Sequence, residues 1–229
     1  MLLKDILNKN FNGISTVDDF LKARIILKKY GINKFLNDFK HFDYVDKNNQ
    51  LTTNDNPYNF FARLVVGKEP IEDRIKDENI IIKNSEFSNK FIIGCNLLEN
   101  DIHWNDPKWN GRASMSKYHR FLVLKDLSFW WFNILVFGIN DKSQLQKAIE
   151  LVKYMQKAAQ FFAKQNNWSN NLGLYFHVYG FNSVHSLHLH MIDLDFVGPT
   201  FHYTSYKNLS LENVLIALTK ELNDTLLLY

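Results

Sequence analysis

The sequence predicts an α+β fold, because strands, one long helix and further strands follow each other without a regular β-α-β alternation. The strongest helical period covers residues 142–164, where apolar side chains form one continuous stripe. A last helix is predicted over residues 210–222. Short β-branched or alternating runs predict strands at 80–82, 91–93, 121–124, 174–178 and 184–196.

Composition limits the function classes. The chain has 229 residues, of which 46% are apolar and 22% charged, as in ordinary globular proteins. Its net charge of +3 is too small for a dedicated binder of phosphate backbones, so nucleic acid is not an expected partner. The most apolar stretch, 127–139, is shorter than the roughly 20 residues of a membrane span. The single cysteine, Cys95, permits no internal disulfide, which predicts a reducing, cytoplasmic location.

The first 50 residues are predicted to form a helical N-terminal extension. They contain nine Lys or Arg and six Asp, which accounts for the whole net charge. A helix is expected from about Val17 to Gly31, followed by another over 32–42. The Asn-rich segment 47–57 has the composition of a linker. We therefore predict an extension over 1–50, dispensable for the chemistry, and a catalytic domain over 56–229.

A histidine-rich run, 182–192, is the most informative part of the sequence. In a strand, alternation places Ser186, His188 and His190 on one face and Leu189 on the other, with the two imidazoles about 7 Å apart. Such a pair can bind a metal, attack phosphorus, or simply form structural hydrogen bonds. The third ligand of a metal site would come from His119, His177 or His185.

The same run resembles the signature of the histidine triad (HIT) superfamily of nucleotide hydrolases and transferases. Residues 61–70 resemble the family's opening helix and Gly-x-x-Pro turn, and residues 119–125 resemble its His-x-Leu-Val-Ile-Pro-Lys strand. Residues 176–184 resemble the branch of aprataxin and the third histidine-triad nucleotide-binding protein. The resemblance spans roughly 56–222. It implies a HIT-like fold with an antiparallel sheet of about five strands, one long helix and a C-terminal helix.

The resemblance also implies roles for individual residues. His188 matches the histidine that attacks the α-phosphorus and forms a nucleotidyl-histidine intermediate. His190 matches the histidine that holds the phosphate oxygens, and Ser183 matches a contact to the phosphate or leaving group. Four further residues are expected to contact the substrate: His119, His177, Asn182 and Ser186.

Ser186 is a departure, since the family has histidine at this first triad position. The family uses that position partly through its backbone carbonyl, which any side chain leaves available to orient Nδ1 of the nucleophile. The segment 83–89 does not align with the part of the family that supplies the ribose-binding acid. The segment Tyr206-Lys207-Asn208 before the last helix is expected to be a helix-entry loop, with a contact to phosphate as the alternative.

These observations predict a metal-independent enzyme without a cofactor. It would act on the α-phosphate of a nucleoside monophosphate ester, anhydride or phosphoramidate, with a purine nucleotide or nucleotide conjugate as its ligand. The alternative is a catalytically degenerate HIT-like module that only binds nucleotides. The resemblance further implies a homodimer, paired through residues 121–124 and the apolar side of the long helix, 145–162. No membrane association is expected.

Overall fold

The structure, a computed structural model, describes residues 1–41, 45–48 and 60–226. Its centre is a five-stranded antiparallel sheet with the strand order β1-β2-β4-β3-β5. The strands are β1 (Phe91–Gly94), β2 (His119–Leu124), β3 (Leu172–Phe176), β4 (His188–Asp193) and β5 (Leu209–Ser210). The predicted α+β class, an antiparallel sheet of about five strands, the long helix, the C-terminal helix and the helical extension are confirmed. Four of the five predicted strand segments form strands, whereas β5 is a segment for which the sequence predicts no strand.

Together with several short 3-10 helices, nine α-helices accompany the sheet in the described residues. They are α1 (Leu3–Asn10), α2 (Val17–Tyr30), α3 (Ile32–His41), α4 (Phe60–Val65), α5 (Lys76–Lys83), α6 (Leu98–Ile102), α7 (Lys142–Gln165), α8 (Pro199–Tyr203) and α9 (Leu211–Leu226). The long helix α7 begins at Asp141, whose carboxylate accepts a hydrogen bond from the Gln144 amide. Among these helices, none combines the length and apolarity that crossing a membrane requires.

The two faces of the sheet have different environments. Leu189 and Met191 of β4 lie in the main hydrophobic core together with apolar residues of α7 and α9. On the opposite face, Phe121 and Val123 of β2 pack with Phe61 of α4 in a smaller cluster. His188 pairs with Val123 and His190 with Phe121, so both imidazoles lie on this second face.

Three parts of the predicted pattern differ in the structure. Residues 80–82 form part of helix α5 and not a strand, because acids in its first turn and Lys83 in its last favour a helix. The predicted strand over 184–196 is shorter, running from His188 to Asp193. The aperiodic segment 96–116 contains the short helix α6. The three consecutive isoleucines 80–82 are typical of a buried strand, but in the structure only Ile82 is fully buried.

The N-terminal helices share the main core with the rest of the chain. Leu7, Phe20 and Leu27 are fully buried in the same cluster as residues of α7 and α9. Buried Arg24 of α2 forms an ion pair with Glu221 of α9 at 2.7 Å and donates to the Leu135 carbonyl at 2.9 Å. The helices of the extension are therefore integral to the packing, whereas its role in the chemistry stays a prediction.

The predicted homodimer rests on residues that one chain already buries. All of 121–124 and most of the apolar stripe of α7 lie inside the core, partly beneath α9. This stripe therefore does not identify a surface for a second copy. The homodimer stays a prediction.

Candidate functional site

A cavity of about 620 Å³ lies on the histidine face of the sheet. Strand β4 contributes His188 and His190, and the end of β2 contributes His119. His177 follows β3, which is paired with β4, and so reaches the same place. The structure thus brings together residues that are up to 71 positions apart in the sequence. The further residues of the predicted site that line this cavity are Asn182 and Ser183.

A hydrogen bond at Nδ1 holds the His188 ring and leaves Nε2, the other ring nitrogen, free. Nδ1 of His188 lies 2.8 Å from the carbonyl oxygen of Ser186. A carbonyl only accepts, so Nδ1 carries the proton and the neutral ring keeps a lone pair on Nε2. The Phe61 ring packs against the imidazole with centroids 4.5 Å apart. His188 is therefore a fixed, neutral imidazole with an available nucleophilic nitrogen.

A chain of hydrogen bonds determines where the proton of His190 lies. The backbone N–H of Met115 donates to Nδ1 of His119 at 3.2 Å, so the neutral His119 ring carries its proton on Nε2. That nitrogen lies 3.0 Å from Nδ1 of His190 and donates to it. The neutral His190 ring must then carry its own proton on Nε2. Because a backbone N–H cannot reverse its role, the whole relay has one direction.

The Nε2–H of His190 has no hydrogen-bond partner among the residues that the structure describes. A buried donor without a partner costs about 1–3 kcal/mol. A ligand oxygen in the cavity would satisfy this donor, and a charged phosphate oxygen would do so most strongly. The relay from Met115 through His119 therefore prepares His190 to bind an anion.

His177 is positioned by a residue of a different loop. Its Nε2 donates to Oδ1 of Asn208 at 2.8 Å, and its ring lies 4.1 Å from that of His190 between centroids. Lys207, the neighbour of Asn208, lines the same cavity. Burial lowers the pKa of its ammonium, and its charge in turn contributes to lowering the pKa values of His177, His188 and His190. This places a cation close to the imidazoles.

Burial keeps the four cavity imidazoles neutral. It lowers the pKa of His188 to about 4 and that of His119 to about 3, from an ordinary value of 6.5. For His177 and His190, burial holds the pKa well below that value, and neighbouring positive charges act in the same direction. At pH 7 the site thus offers unprotonated imidazole nitrogens and neutral N–H donors.

The geometry of these histidines fits a metal site less well than it fits an anion-binding site. The ligand nitrogens of His177, His188 and His190 lie within 4.8 Å of one another. Around zinc, with bonds of 2.0–2.1 Å, they would be separated by about 3.4 Å. The rings would have to move, and His190 would have to release its Nε2 proton against the relay from Met115. The proton arrangement of the described residues favours an anion over a cation.

Ser186, which was predicted to contact the substrate, and the neighbouring His185 are not part of the cavity lining. The Ser186 side chain is buried elsewhere, and its carbonyl contacts His188. His185, next to it, is also buried, with Nδ1 at 2.6 Å from Oδ1 of Asn182. Ser186 therefore reaches the site through its backbone, as the sequence allowed for the first triad position.

Comparison with protein families gives a match over residues 61–204, well over half of the chain. The matching family is described as scavenger mRNA decapping enzyme C-term binding, and its domain is a HIT-family domain. The chain belongs to this family. No curated protein and no solved structure gives a significant match. The HIT-like nucleotide-binding or hydrolase fold that the histidine run indicated is thus supported by an independent comparison.

Several residues that shape this HIT domain site were missed in the sequence. Asn208 fixes His177, and the Met115 amide fixes His119, but neither belongs to a local motif. At Lys207 and Asn208 the sequence pattern favours a helix-entry loop over a contact to phosphate. A backbone amide leaves no signal in the side-chain pattern, and the asparagine contact joins positions 31 residues apart.

Proposed function

We propose that this HIT domain is a nucleotide hydrolase or transferase that acts on the α-phosphate through a nucleotidyl-His188 intermediate. The proposal rests on two ring nitrogens that face the cavity and have opposite hydrogen-bonding roles. Nε2 of His188 has a free lone pair, and Nε2 of His190 has an N–H without a hydrogen-bond partner among the described residues. A nucleophile beside an anion-binding donor is what displacement at a phosphate requires.

In the first step, the lone pair of His188 Nε2 forms a bond to the α-phosphorus while the bond from phosphorus to the leaving group breaks. The electron pair of that bond departs with the leaving group. The His190 N–H and the Ser183 hydroxyl hold the phosphate oxygens, where negative charge is spread in the transition state. In the second step, an oxygen of water or of another acceptor forms a bond to phosphorus while the bond from phosphorus to Nε2 breaks, and the electron pair of that bond returns to His188.

The substrate is an ester, an anhydride or a phosphoramidate of a nucleoside monophosphate. The family description, which names a decapping enzyme, adds the anhydride of an mRNA cap to this panel. The aromatic rings of Phe60 and Phe61 line the cavity and offer surfaces for a base, for which we propose a purine. Glu69 and Glu72 also line the cavity, and we propose them for the role of the acid that holds the ribose in the family.

The second candidate is a module that binds nucleotides without turning them over. Ser186 favours it, because the first imidazole of the triad is missing. The Ser186 carbonyl favours catalysis, since the contact that orients His188 is retained. The finer resemblance to the aprataxin branch, a homodimeric assembly and a cytoplasmic location are part of the same proposal.

Mass spectrometry of the intact protein separates the candidates. We expect incubation with adenosine 5′-phosphoramidate, a diadenosine polyphosphate or a cap dinucleotide to give a nucleotidyl adduct and release of the monophosphate, also in the presence of a chelator. Saturable AMP binding with neither adduct nor release would establish the binding module. Turnover that the chelator abolishes would show that a metal is required.

A further inference from the structure

The N-terminal helices contact the backs of two loops whose other sides line the cavity. One, residues 177–186, is called the histidine loop here, and carries His177, Asn182 and Ser183. The other, residues 204–208, is called the lysine turn and carries Lys207 and Asn208. The segment 1–41 itself contributes nothing to the cavity lining that the structure describes.

The lysine turn is in close contact with Gly13, between α1 and α2. A Cβ atom placed on Gly13 would lie 2.2 Å from the carbonyl oxygen of Tyr206 and 2.8 Å from its carbonyl carbon. Backbone therefore packs on backbone here, and only glycine leaves the space. Tyr206 directly precedes Lys207 and Asn208, so this contact sets the position of the residue that holds His177.

The histidine loop is supported through Tyr179. The Phe35 ring of α3 lies against the Tyr179 ring in an edge arrangement, with centroids 4.9 Å apart. The Tyr179 amide donates to Oδ1 of buried Asn133, whose Nδ2 donates to the His185 carbonyl at 3.0 Å. Asn133 thus ties the loop to the core near both of its ends, and Phe35 of the extension packs against the side chain of Tyr179 at the first of them.

Helix α1 touches the same loop at Gly180. A Cβ atom at this glycine would lie 3.7 Å from Lys4 and from Asn8, which is ordinary contact, and its φ of +96° favours glycine. The Lys4 charge also contributes, after burial, to lowering the pKa of His185 to about 4. Two separate elements of the extension, α1 and α3, therefore pack against the histidine loop.

We infer that the extension is a positioning element of the active site: Gly13, through Tyr206, and Phe35, through Tyr179, fix the two loops that place His177 and Ser183 around the phosphate. This inference rests on the proposed function for its effect on the rate. It also changes the expectation that the extension is dispensable for the chemistry, because its removal would free both loops.

The test uses Gly13→Ala in the full chain. The added methyl group displaces the lysine turn by roughly 1 Å, and a shift of that size can cost up to 10²-fold in rate. We expect kcat for nucleotide release to fall about 10-fold or more, with a smaller change in KM. We also expect the imidazole nitrogen NMR signals of His177, assigned with His177→Gln, to shift as the bond to Asn208 is lost.

The control is Gly31→Ala, in the same extension. Gly31 has a φ of +94° and no atom within 4 Å of an added Cβ, so alanine strains the backbone but its methyl group contacts neither loop. Its melting temperature should fall, while kcat and the His177 signals stay at wild-type values. A Gly13→Ala protein with unchanged kcat and unchanged His177 signals would overturn the inference, as would equal losses of kcat in both variants.

A second pair of variants, Phe35→Leu and its control Phe20→Leu, tests the inference if Gly13→Ala does not fold. Phe35→Leu removes the ring that supports Tyr179, whereas Phe20→Leu changes an equally buried ring of the extension that lies on α2. We expect a several-fold lower kcat for Phe35→Leu alone, and equal kcat values would contradict the inference. If the wild-type protein releases no nucleotide, the proposed function fails, and shifted His177 signals with weaker AMP binding in Gly13→Ala still decide the positioning role.

Discussion

His185 and His188 lie three residues apart, and both are buried imidazoles whose Nδ1 forms a hydrogen bond. Burial lowers the pKa of each to about 4. They differ in what surrounds the rest of the ring. His185 packs on Tyr179 and lies near the N-terminal helices, whereas His188 lines the cavity. Neither burial nor a lowered pKa therefore identifies the nucleophile.

The position of the free nitrogen distinguishes the two histidines. The main-chain carbonyl of Ser186 leaves Nε2 of His188 on the cavity, next to the N–H of His190. In His185, Nδ1 contacts the side chain of Asn182, and the carbonyl of the same residue accepts a hydrogen bond from Asn133. His185 is not part of the cavity lining. On the proposed function, a histidine of this fold acts as the nucleophile when a hydrogen bond fixes one ring nitrogen and the sheet presents the other to the cavity.

The largest effect is expected for His188→Ala. Removing the nucleophile abolishes the covalent step, so the rate of nucleotide release should fall by about 10³-fold or more. Intact mass after incubation with a slow adenylyl substrate should show an adduct in the wild-type protein and none in this variant. An adduct that persists in His188→Ala would move the nucleophile to another residue.

The next largest effect is expected for His190→Leu, which removes the anion-binding donor and keeps a side chain of similar size. The loss of one donor to a developing oxyanion costs about 10²–10³-fold in kcat. His119→Leu interrupts the relay but leaves His190 in place, so it should lose less. Equal rates for wild type and His190→Leu, measured by AMP release at saturating substrate, would show that the N–H of His190 does not hold the phosphate.

An acid-induced loss of stability is expected from the same buried imidazoles. In the unfolded chain they titrate near 6.5, while burial lowers the pKa of His119 to about 3 and that of His188 to about 4. Below pH 6.5 the unfolded state binds more protons, so the free energy of unfolding decreases as pH falls. For each buried histidine that stays neutral in the folded protein, the free energy of unfolding is about 2 kcal/mol lower at pH 5 than at pH 7. Urea unfolding at pH 7 and pH 5 measures it, and an unchanged midpoint would mean that the rings protonate in the folded protein.

The smallest effects are expected at the neighbours of the nucleophile. Ser186→His keeps the carbonyl that binds His188, and His185→Gln keeps a polar group beside Asn182, so both variants should retain nucleotide release to within about threefold. Matched kcat and KM measurements check this. Activity that appears only after Ser186→His would show that the natural protein has lost catalysis, and a large loss in His185→Gln would remove the distinction between the two histidines.

The fold class followed from local patterns whose physical cause is also local. The apolar stripe of α7 and the alternation of β4 are periodicities of the backbone itself. They predicted the helix with nearly its observed bounds and the strand with bounds that were too wide. Residues 80–82 were predicted wrongly, because β-branched residues also occur in helices when the flanking charges suit the helix dipole. The nucleophile and the anion-binding histidine could be proposed because both lie on one strand.

The sequence by itself determined the strand that carries His188 and His190, the face they share, and the family to which they belong. Only the tertiary structure decided which nitrogen of each imidazole carries the proton. The groups that decide it, the Met115 amide, the Ser186 carbonyl and Asn208, reach the rings from separate segments. It also decided that the N-terminal helices pack against the loops of the site. Charge balance and a polar linker suggested an appendage, but composition does not record which surfaces a buried residue packs against.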